Sequence, residues 1–441
     1  MDVTVFPGQV SGVCKIPSSK SHTMRAILFA ALARGESRLE AVLASPDTDA
    51  MIAACHRLGA QLEWREGCLV IQGTAGSVFP KGEIDCGNSG QVLRFIAAIG
   101  ALGKHPFAMT GDASIRSRRP VHELISVLQQ GGVTVTASDG RPPLQICGPL
   151  RPGTFHMRGE DSQPVSALLM AAALMEGSSQ ILVGDLGERP WVGLTLWWLR
   201  RLGADITWSR EGSQDRFEVT GGLMMQSIRE QIAADWSSAA FPLMAGLLTA
   251  RSAEGASQRE GVYLKGLLAD DPQGDKEIVA ILQEMGGRIS WEEGALWVRP
   301  SLLRGGRIDA NSLIDAVPIL AAAGSCMSSG ITLENVAMAR RKESDRLEAL
   351  ADGIRRLGGQ VALGSDWIQV FPGPLQGGEV MAHHDHRIAM AFSVAALRAR
   401  GPVLIRGCEC VAKSYPGFFK VLQRLGAKVS VEEQHVALAS Q

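Results

Sequence analysis

Two acids in the second half of the chain stand out: Glu343, beside Lys342 in Lys342-Glu343-Ser344-Asp345-Arg346, and Asp315, in Ile314-Asp315, which the repeat rather than its sequence neighbours would place among basic residues. Neighbouring cations keep such carboxylates ionised, so both read as proton carriers. Similar polar clusters interrupt apolar sequence elsewhere. They are Lys20-Ser21-His22-Thr23-Met24-Arg25, Asn88-Ser89-Gly90-Gln91-Val92-Leu93-Arg94, Arg116-Ser117-Arg118-Arg119-Pro120, Asp161-Ser162-Gln163, Glu188-Arg189-Pro190, Asp235-Trp236-Ser237-Ser238, Gln273-Gly274-Asp275, Asp385-His386-Arg387 and Lys413-Ser414-Tyr415-Pro416. Each falls either at the start of a uniformly apolar, helix-like run or at a turn from strand into amphipathic helix. Gathered at one end of the fold, Lys20, Arg25, Arg119, Arg189, Lys342, Arg346, Arg387 and Lys413 would surround helix N-termini that carry partial positive charge. That is a site for a small molecule with several negative charges, phosphate and carboxylate together.

Plainer readings compete at single positions. Asn88, Ser162 and Ser237 taken alone are ordinary N-caps, and Lys342 to Arg346 alone is a solvated helix start. His383, His384 and His386 are too close in sequence to converge on a metal, and His386 reads as a buried, hydrogen-bonded histidine. Recurrence at one end of every repeat favours function.

The repeats themselves are marked by a helix-like stretch ending in Gly and a second small residue: Leu58-Gly59-Ala60, Gln130-Gly131-Gly132, Leu202-Gly203-Ala204, Met285-Gly286-Gly287, Leu357-Gly358-Gly359 and Leu425-Gly426-Ala427. Their glycines lie 72, 72, 83, 72 and 68 residues apart, so one supersecondary unit is used six times. Each unit has a helix apolar on all sides, such as 165–175, 239–248 or 388–397, and then a short strand such as 180–183, 262–264, 331–333 or 403–405. An amphipathic helix follows, as over 49–58, and the unit closes on a hairpin, as over 288–291 and 296–298. The order is βαβαββ-like, an α/β class with three units per domain. We expect one discontinuous domain from 1–18 and 235–441 and a second from 19–234, with 1–18 adding an edge strand to the first. The long spacing maps to 251–261, read as a surface loop.

With 441 residues, 46% of them hydrophobic and 20% charged, the chain can build two cores. A net charge of −1 gives no reason to expect nucleic acid or a membrane surface as partner, and no apolar run reaches 18 residues. Met1 leads straight into strand-like sequence without a targeting segment, and eight scattered cysteines suit a reducing cytoplasm better than disulfides or zinc. A monomer is expected, since two large domains can bury their own cores.

At Pro17-Ser18-Ser19-Lys20-Ser21 with Arg25, Gly87-Asn88-Ser89-Gly90 with Arg94, Arg119-Pro120, Ser162-Gln163, Asp235 with Ser237-Ser238, Ile314-Asp315, Lys342 to Arg346, Asp385-His386-Arg387 and Lys413, the chain resembles the enolpyruvyl transferase family. The resemblance implies a two-domain, inside-out α/β barrel with the active site in the interdomain cleft. It also implies transfer of an enolpyruvyl group from phosphoenolpyruvate to the 5-hydroxyl of shikimate 3-phosphate, a step toward the aromatic amino acids, without metal or organic cofactor. Lys20, Asn88, Gly90, Arg119, Gln163, Arg346, Arg387 and Lys413 would then bind phosphoenolpyruvate. Lys20, Ser21, Arg25, Ser162, Gln163, Arg189, Asp315 and Lys342 would bind shikimate 3-phosphate. Asp315 would take the hydroxyl proton, Glu343 assisted by Lys20 would serve the methylene carbon, and His386 would sit beside this relay.

A cell-wall relative acting on UDP-N-acetylglucosamine usually carries a cysteine just before its Arg-Pro pair, and the loop from Thr110 to Pro120 has none. Gln91, Asp161, Glu188 and Met338 depart from the family's better-known members. Asp161 and Glu188 fall where serines commonly meet the sugar phosphate, and Arg189 is the expected compensator. Two other readings stay open: an enolpyruvyl transferase with a different acceptor, and a non-catalytic anion-binding relative. A binder needs neither Asp315 nor Glu343.

Overall fold

The computed structural model describes residues 1–249 and 261–432. The expected loop at 251–261 therefore lies, apart from Gly261, outside the described residues. Among those residues the strands form six four-stranded sheets. In one, Glu83–Asp85 runs parallel to Phe107–Thr110, which pairs antiparallel with Arg141–Cys147, itself paired antiparallel with Thr134–Ser138. The same order recurs over 154–220 and again over 306–370. A parallel pair needs a crossover, supplied each time by a buried helix, and the antiparallel pair that follows is the hairpin read from the sequence.

The remaining three sheets recruit strands from far along the chain. Gly12–Lys15 lies parallel to Val262–Lys265 at a sheet edge. Asp2–Val5 is not an edge strand: it is interior, antiparallel to both Val403–Arg406 and Val429–Glu432, so it stands where a second hairpin strand would. Arg229–Gln231 pairs in parallel with Glu36–Glu40 and completes the sheet of the first repeat. The chain forms two compact units, one of 1–17, 234–269 and 275–441, the other of 18–233 and 270–274. The short insert 270–274 is held in the second unit by His22 Nε2 at 3.3 Å from Asp271 Oδ1 and by Ser19 Oγ donating to Gln273 Oε1 at 3.0 Å.

The apolar runs form the crossover helices Lys20–Leu32, Gly90–Gly100, Ser162–Leu174, Trp236–Leu248, Val317–Gly324 and His386–Ala396. Every residue of Trp236–Leu248 and of Val317–Gly324 is buried, which removes the need for a polar face. Full burial of a side chain such as Phe241 contributes about 1.5–3 kcal/mol. The amphipathic helices cover the sheets instead, as Pro46–Leu58 does with Met51, Cys55 and Leu58 inward. That helix ends on Gly59 at φ 111°, a left-handed cap that an L side chain resists. In the second repeat the left-handed residue is Gly132, while Gly131 is needed for space: a Cβ there would lie 2.2 Å from Leu150 Cδ1. Among the described residues no helix is long and apolar enough to cross a membrane.

Candidate active site

In the unit that holds the C-terminal half, the ends of two helices help bring three acids onto one guanidinium. Asp345 caps helix Arg346–Arg356 by accepting from Glu348 N, which aims Arg346 inward at the first helical position. Arg346 is 1% exposed, and each of its three nitrogens has a carboxylate: Nε donates to Asp385 Oδ2 at 2.9 Å, Nη1 to Asp315 Oδ1 at 2.9 Å and Nη2 to Glu343 Oε2 at 3.1 Å. Asp385 in turn caps helix His386–Ala396 through Arg387 N and accepts from Ser344 Oγ. Arg387 Nη2 donates to Asp315 Oδ2 at 2.8 Å, and Lys413 Nζ lies 3.0 Å from Glu343 Oε1.

The electrostatics follow from this lattice. Burial opposes ionisation of Asp315, but Arg387, Arg346 and Lys342 overcome it and hold the carboxyl well below the usual range. Burial likewise opposes the charge on Arg346, and Asp385, Glu343 and Asp315 outweigh it, so its guanidinium stays charged. Arg387 Nε and Nη1 are buried and have no hydrogen-bond partner among the described residues. Unpartnered N–H donors on a buried guanidinium leave room for the oxygens of an anionic ligand, a carboxylate or a phosphate.

In the other unit, Lys20 opens helix Lys20–Leu32, with Nζ 3.5 Å from Asp47 Oδ2; Ser89 Oγ donates to the same oxygen at 3.2 Å. Arg25 is buried, with Nε and Nη2 donating to Thr195 Oγ1 and Nη1 and Nη2 to the carbonyls of Ser21 and Trp191. These partners are neutral, and burial pushes its guanidinium down to about 9. Gly90 begins helix Gly90–Gly100 where space is short: a Cβ there would lie 2.5 Å from Arg119 Nη1, 3.0 Å from Arg94 Nη1 and 3.2 Å from Gln163 Oε1. Asn88 Nδ2 donates to Asp112 Oδ2 at 2.9 Å.

The caps are not the residues read as caps. Ser89, Asp161 and Asp235 do that work, through Val92, Gln163 and Ser238 N respectively. Asn88, Ser162 and Ser237 instead donate to the acids Asp112, Glu188 and Asp275. The acids that depart from the family pattern also have different partners from those expected. Arg189 does not compensate Glu188: its fork is taken by the fully buried Asp215, Nη1 to Oδ1 at 2.7 Å and Nη2 to Oδ2 at 2.6 Å. Glu188 Oε2 accepts from Ser162 N at 3.3 Å and Ser162 Oγ at 3.0 Å, and Asp161 pairs with Arg94 Nη2 at 2.8 Å.

Asp47, Asp385, Arg94 and Asp215 were not among the sequence-derived site residues. Asp385 and Arg94 stand inside recognised motifs and could have been found there. Asp47 is signalled only by an acidic helix start, and Asp215 only by a strand register 26 residues from Arg189.

Comparison with known proteins gives one family. The model of EPSP synthase (3-phosphoshikimate 1-carboxyvinyltransferase) matches residues 6–422. The 3-phosphoshikimate 1-carboxyvinyltransferase of Chlamydia abortus is 37% identical over 438 residues, 98% of this chain and 96% of the relative. That of Chlamydia muridarum is 38% identical over 440 residues, covering 99% and 97%. Among solved structures, EPSP synthase from Acinetobacter baumannii superposes with a TM-score of 0.74 at 29% identity, over 98% of this chain and 100% of that one. The enolpyruvyl transferase NikO from Streptomyces tendae has a TM-score of 0.77 at 20% identity, covering 97% and 98%, and so shares the fold. With its acids and cations assembled in this way and its length matched almost throughout, the chain belongs to the EPSP synthase (3-phosphoshikimate 1-carboxyvinyltransferase) family.

Proposed function

We propose that this chain transfers the enolpyruvyl group of phosphoenolpyruvate to the 5-hydroxyl of shikimate 3-phosphate, releasing inorganic phosphate, as a cytoplasmic monomer. The observation that carries the reading is the pair of proton-carrying acids, Asp315 and Glu343, held on the cations Arg346, Arg387 and Lys413. These cations take the carboxylate and phosphate of phosphoenolpyruvate, with Lys20, Asn88, Gly90, Arg119 and Gln163 completing that subsite. Lys20, Ser21, Arg25, Ser162, Gln163, Arg189, Asp315 and Lys342 serve the acceptor. Eight unpaired cysteines fit a reducing compartment.

In the free enzyme Asp315 and Glu343 occupy donors that the substrate anions need. As phosphoenolpyruvate claims Arg346 and Arg387, Asp315 loses the charges that hold its proton affinity down and becomes a base. It takes the 5-hydroxyl proton while the oxygen bonds to the central carbon of phosphoenolpyruvate. Glu343, assisted by Lys20, delivers a proton to the methylene and removes one again as phosphate leaves. His386 flanks this relay. Fixed cations stabilise the departing phosphate without competing as nucleophiles, which suits a reaction through a tetrahedral intermediate. Both sets of residues are needed for turnover.

Phosphate release tests the reading. It is expected only when phosphoenolpyruvate and shikimate 3-phosphate are both present, and not with unphosphorylated shikimate. Retained phosphoenolpyruvate binding without release would move the search to a different acceptor hydroxyl.

Glu188 makes a second expectation. Its carboxylate accepts from both the N–H and the hydroxyl of Ser162, donors at a helix start that an acceptor phosphate would use. Glu188→Ser is expected to lower KM for shikimate 3-phosphate about tenfold, the equivalent of about 1.4 kcal/mol, with kcat little changed. A raised KM would show instead that Glu188 orients Ser162 for the ligand.

A further inference from the structure

Asp161 stands where the family resemblance puts a serine against the acceptor's sugar phosphate, yet its carboxylate is turned to an arginine. Its Oδ1 caps helix Ser162–Leu174 by accepting from Gln163 N at 3.0 Å, and its Oδ2 lies 2.8 Å from Arg94 Nη2. Arg94 is 5% exposed. Its other contacts are long: Nη1 donates to the Gly90 carbonyl and to Gln163 Oε1, and Nη2 to the Pro120 carbonyl, each at 3.4 Å. The short, charge-assisted pair with Asp161 is therefore what fixes this guanidinium.

Arg94 thus touches three pieces of the phosphoenolpyruvate subsite: Gly90, the chain just after Arg119, and the Gln163 side chain. The Cβ that Gly90 lacks would lie 2.5 Å from Arg119 Nη1 and 3.0 Å from Arg94 Nη1, so two guanidinium groups converge over Gly90. Like charges so placed repel, and an acid bound to one of them offsets the repulsion. A second consequence falls on the amide of Gln163. With Oε1 turned to Arg94, its Nε2 and two N–H donors are left for an anionic ligand. An amide rotated the other way would present an acceptor to that anion and weaken its binding. Asp161 holds Gln163 at both ends, directly at the backbone N–H and through Arg94 at the side chain.

We propose that Asp161 and Arg94 are a positioning pair for phosphoenolpyruvate: the acid anchors Arg94, and Arg94 sets the amide of Gln163 and steadies the Arg119 segment beside Gly90. The position of an acceptor-binding serine serves the other substrate in this chain. The inference rests on Gly90, Arg119 and Gln163 binding phosphoenolpyruvate.

The test is KM for each substrate, kcat, and direct titration with phosphoenolpyruvate, for the parent, Asp161→Asn, Arg94→Met and the double variant. Asp161→Asn keeps an oxygen able to cap the helix, but it has no charge and one oxygen where Asp161 uses two. It is expected to raise KM for phosphoenolpyruvate about tenfold while kcat and KM for shikimate 3-phosphate stay within about twofold of the parent, as when ground-state and transition-state binding are lost equally. Arg94→Met does the same, and the double variant is no worse than either single change, because the two residues act as one unit. A KM for phosphoenolpyruvate in Asp161→Asn that matches or falls below the parent's overturns the proposal, whatever happens to stability. So does a rise confined to shikimate 3-phosphate. If Arg94→Met does not fold, Asp161→Asn decides alone. Gln163→Ala separates the two layers. If it binds phosphoenolpyruvate like the parent, the subsite assignment fails and this inference with it. If it binds weakly while Asp161→Asn binds like the parent, only this inference fails.

Discussion

Asp315→Ala is expected to turn over about 10²–10⁴ times more slowly than the parent, the usual cost of losing a general base, while binding phosphoenolpyruvate more tightly. The second half of this expectation comes from the geometry. Asp315 takes Nη1 of Arg346 and Nη2 of Arg387, each within 2.9 Å, and so competes for donors that a substrate carboxylate would use. Removing it leaves Arg387 with Nε, Nη1 and Nη2 all short of an acceptor, so the free variant is less stable and gains more from the ligand. Single-turnover rates and thermal shifts with phosphoenolpyruvate check both halves together. The sign with pH is also set: the folded-state pKa of Asp315 is depressed, so its stabilisation is present above the unfolded carboxylate value and fades as acid protonates it. The stability gap between parent and variant should therefore narrow toward low pH. Weaker phosphoenolpyruvate binding in Asp315→Ala would mean that Asp315 arranges the arginines for the ligand rather than competing with it.

The α/β class was legible because it lives in local pattern. Helices such as Val317–Gly324 are apolar on every face, and strands such as Val403–Arg406 are short and apolar between turn signals, so a window of ten residues is enough to recognise either. What could not be read that way are pairings over long separations. Nothing near Asp2–Val5 says that it inserts between Val403–Arg406 and Val429–Glu432, about 400 residues later. The same limit applies at the site. Motifs brought Asp315, Glu343, Arg346, Arg387 and Lys413 to attention, but a list of cations cannot say which carboxylate each holds. Arg189 was matched to its sequence neighbour Glu188, yet the chain turns into a helix at Arg189 and presents its fork to Asp215 on strand Gln214–Thr220. Asp275 was noticed only as part of a turn, because burial and the missing Oδ1 partner are properties of the packed structure.

Replacing Arg346 should do the most damage to the fold as well as to function. Arg346→Met removes a fully buried cation and leaves Asp385, Glu343 and Asp315 facing one another, with Asp385 itself 0% exposed. Breaking a buried ion pair from one side costs about 3–5 kcal/mol, and in a unit of this size that corresponds to a fall in Tm of about 10 °C. Phosphoenolpyruvate binding should be lost along with the cation. The pH dependence distinguishes this explanation from simple loss of packing. In the parent, Asp315, held by Arg387, Arg346 and Lys342, contributes stability above its unfolded value that is lost as pH falls. In the variant, Asp315 keeps Arg387 and Lys342 but loses Arg346, so it contributes less of that stability and has less to lose as pH falls. The parent's stability should therefore fall more steeply than the variant's as pH drops below about 4, so the gap between them narrows in acid. Arg346→Lys, which keeps a charge but cannot present separate nitrogens to three acids, should lie between them. Parallel curves for Arg346→Met and the parent would show that Arg346 contributes bulk rather than charge, and the ion-pair lattice would then not be what holds Asp315 and Glu343 in place.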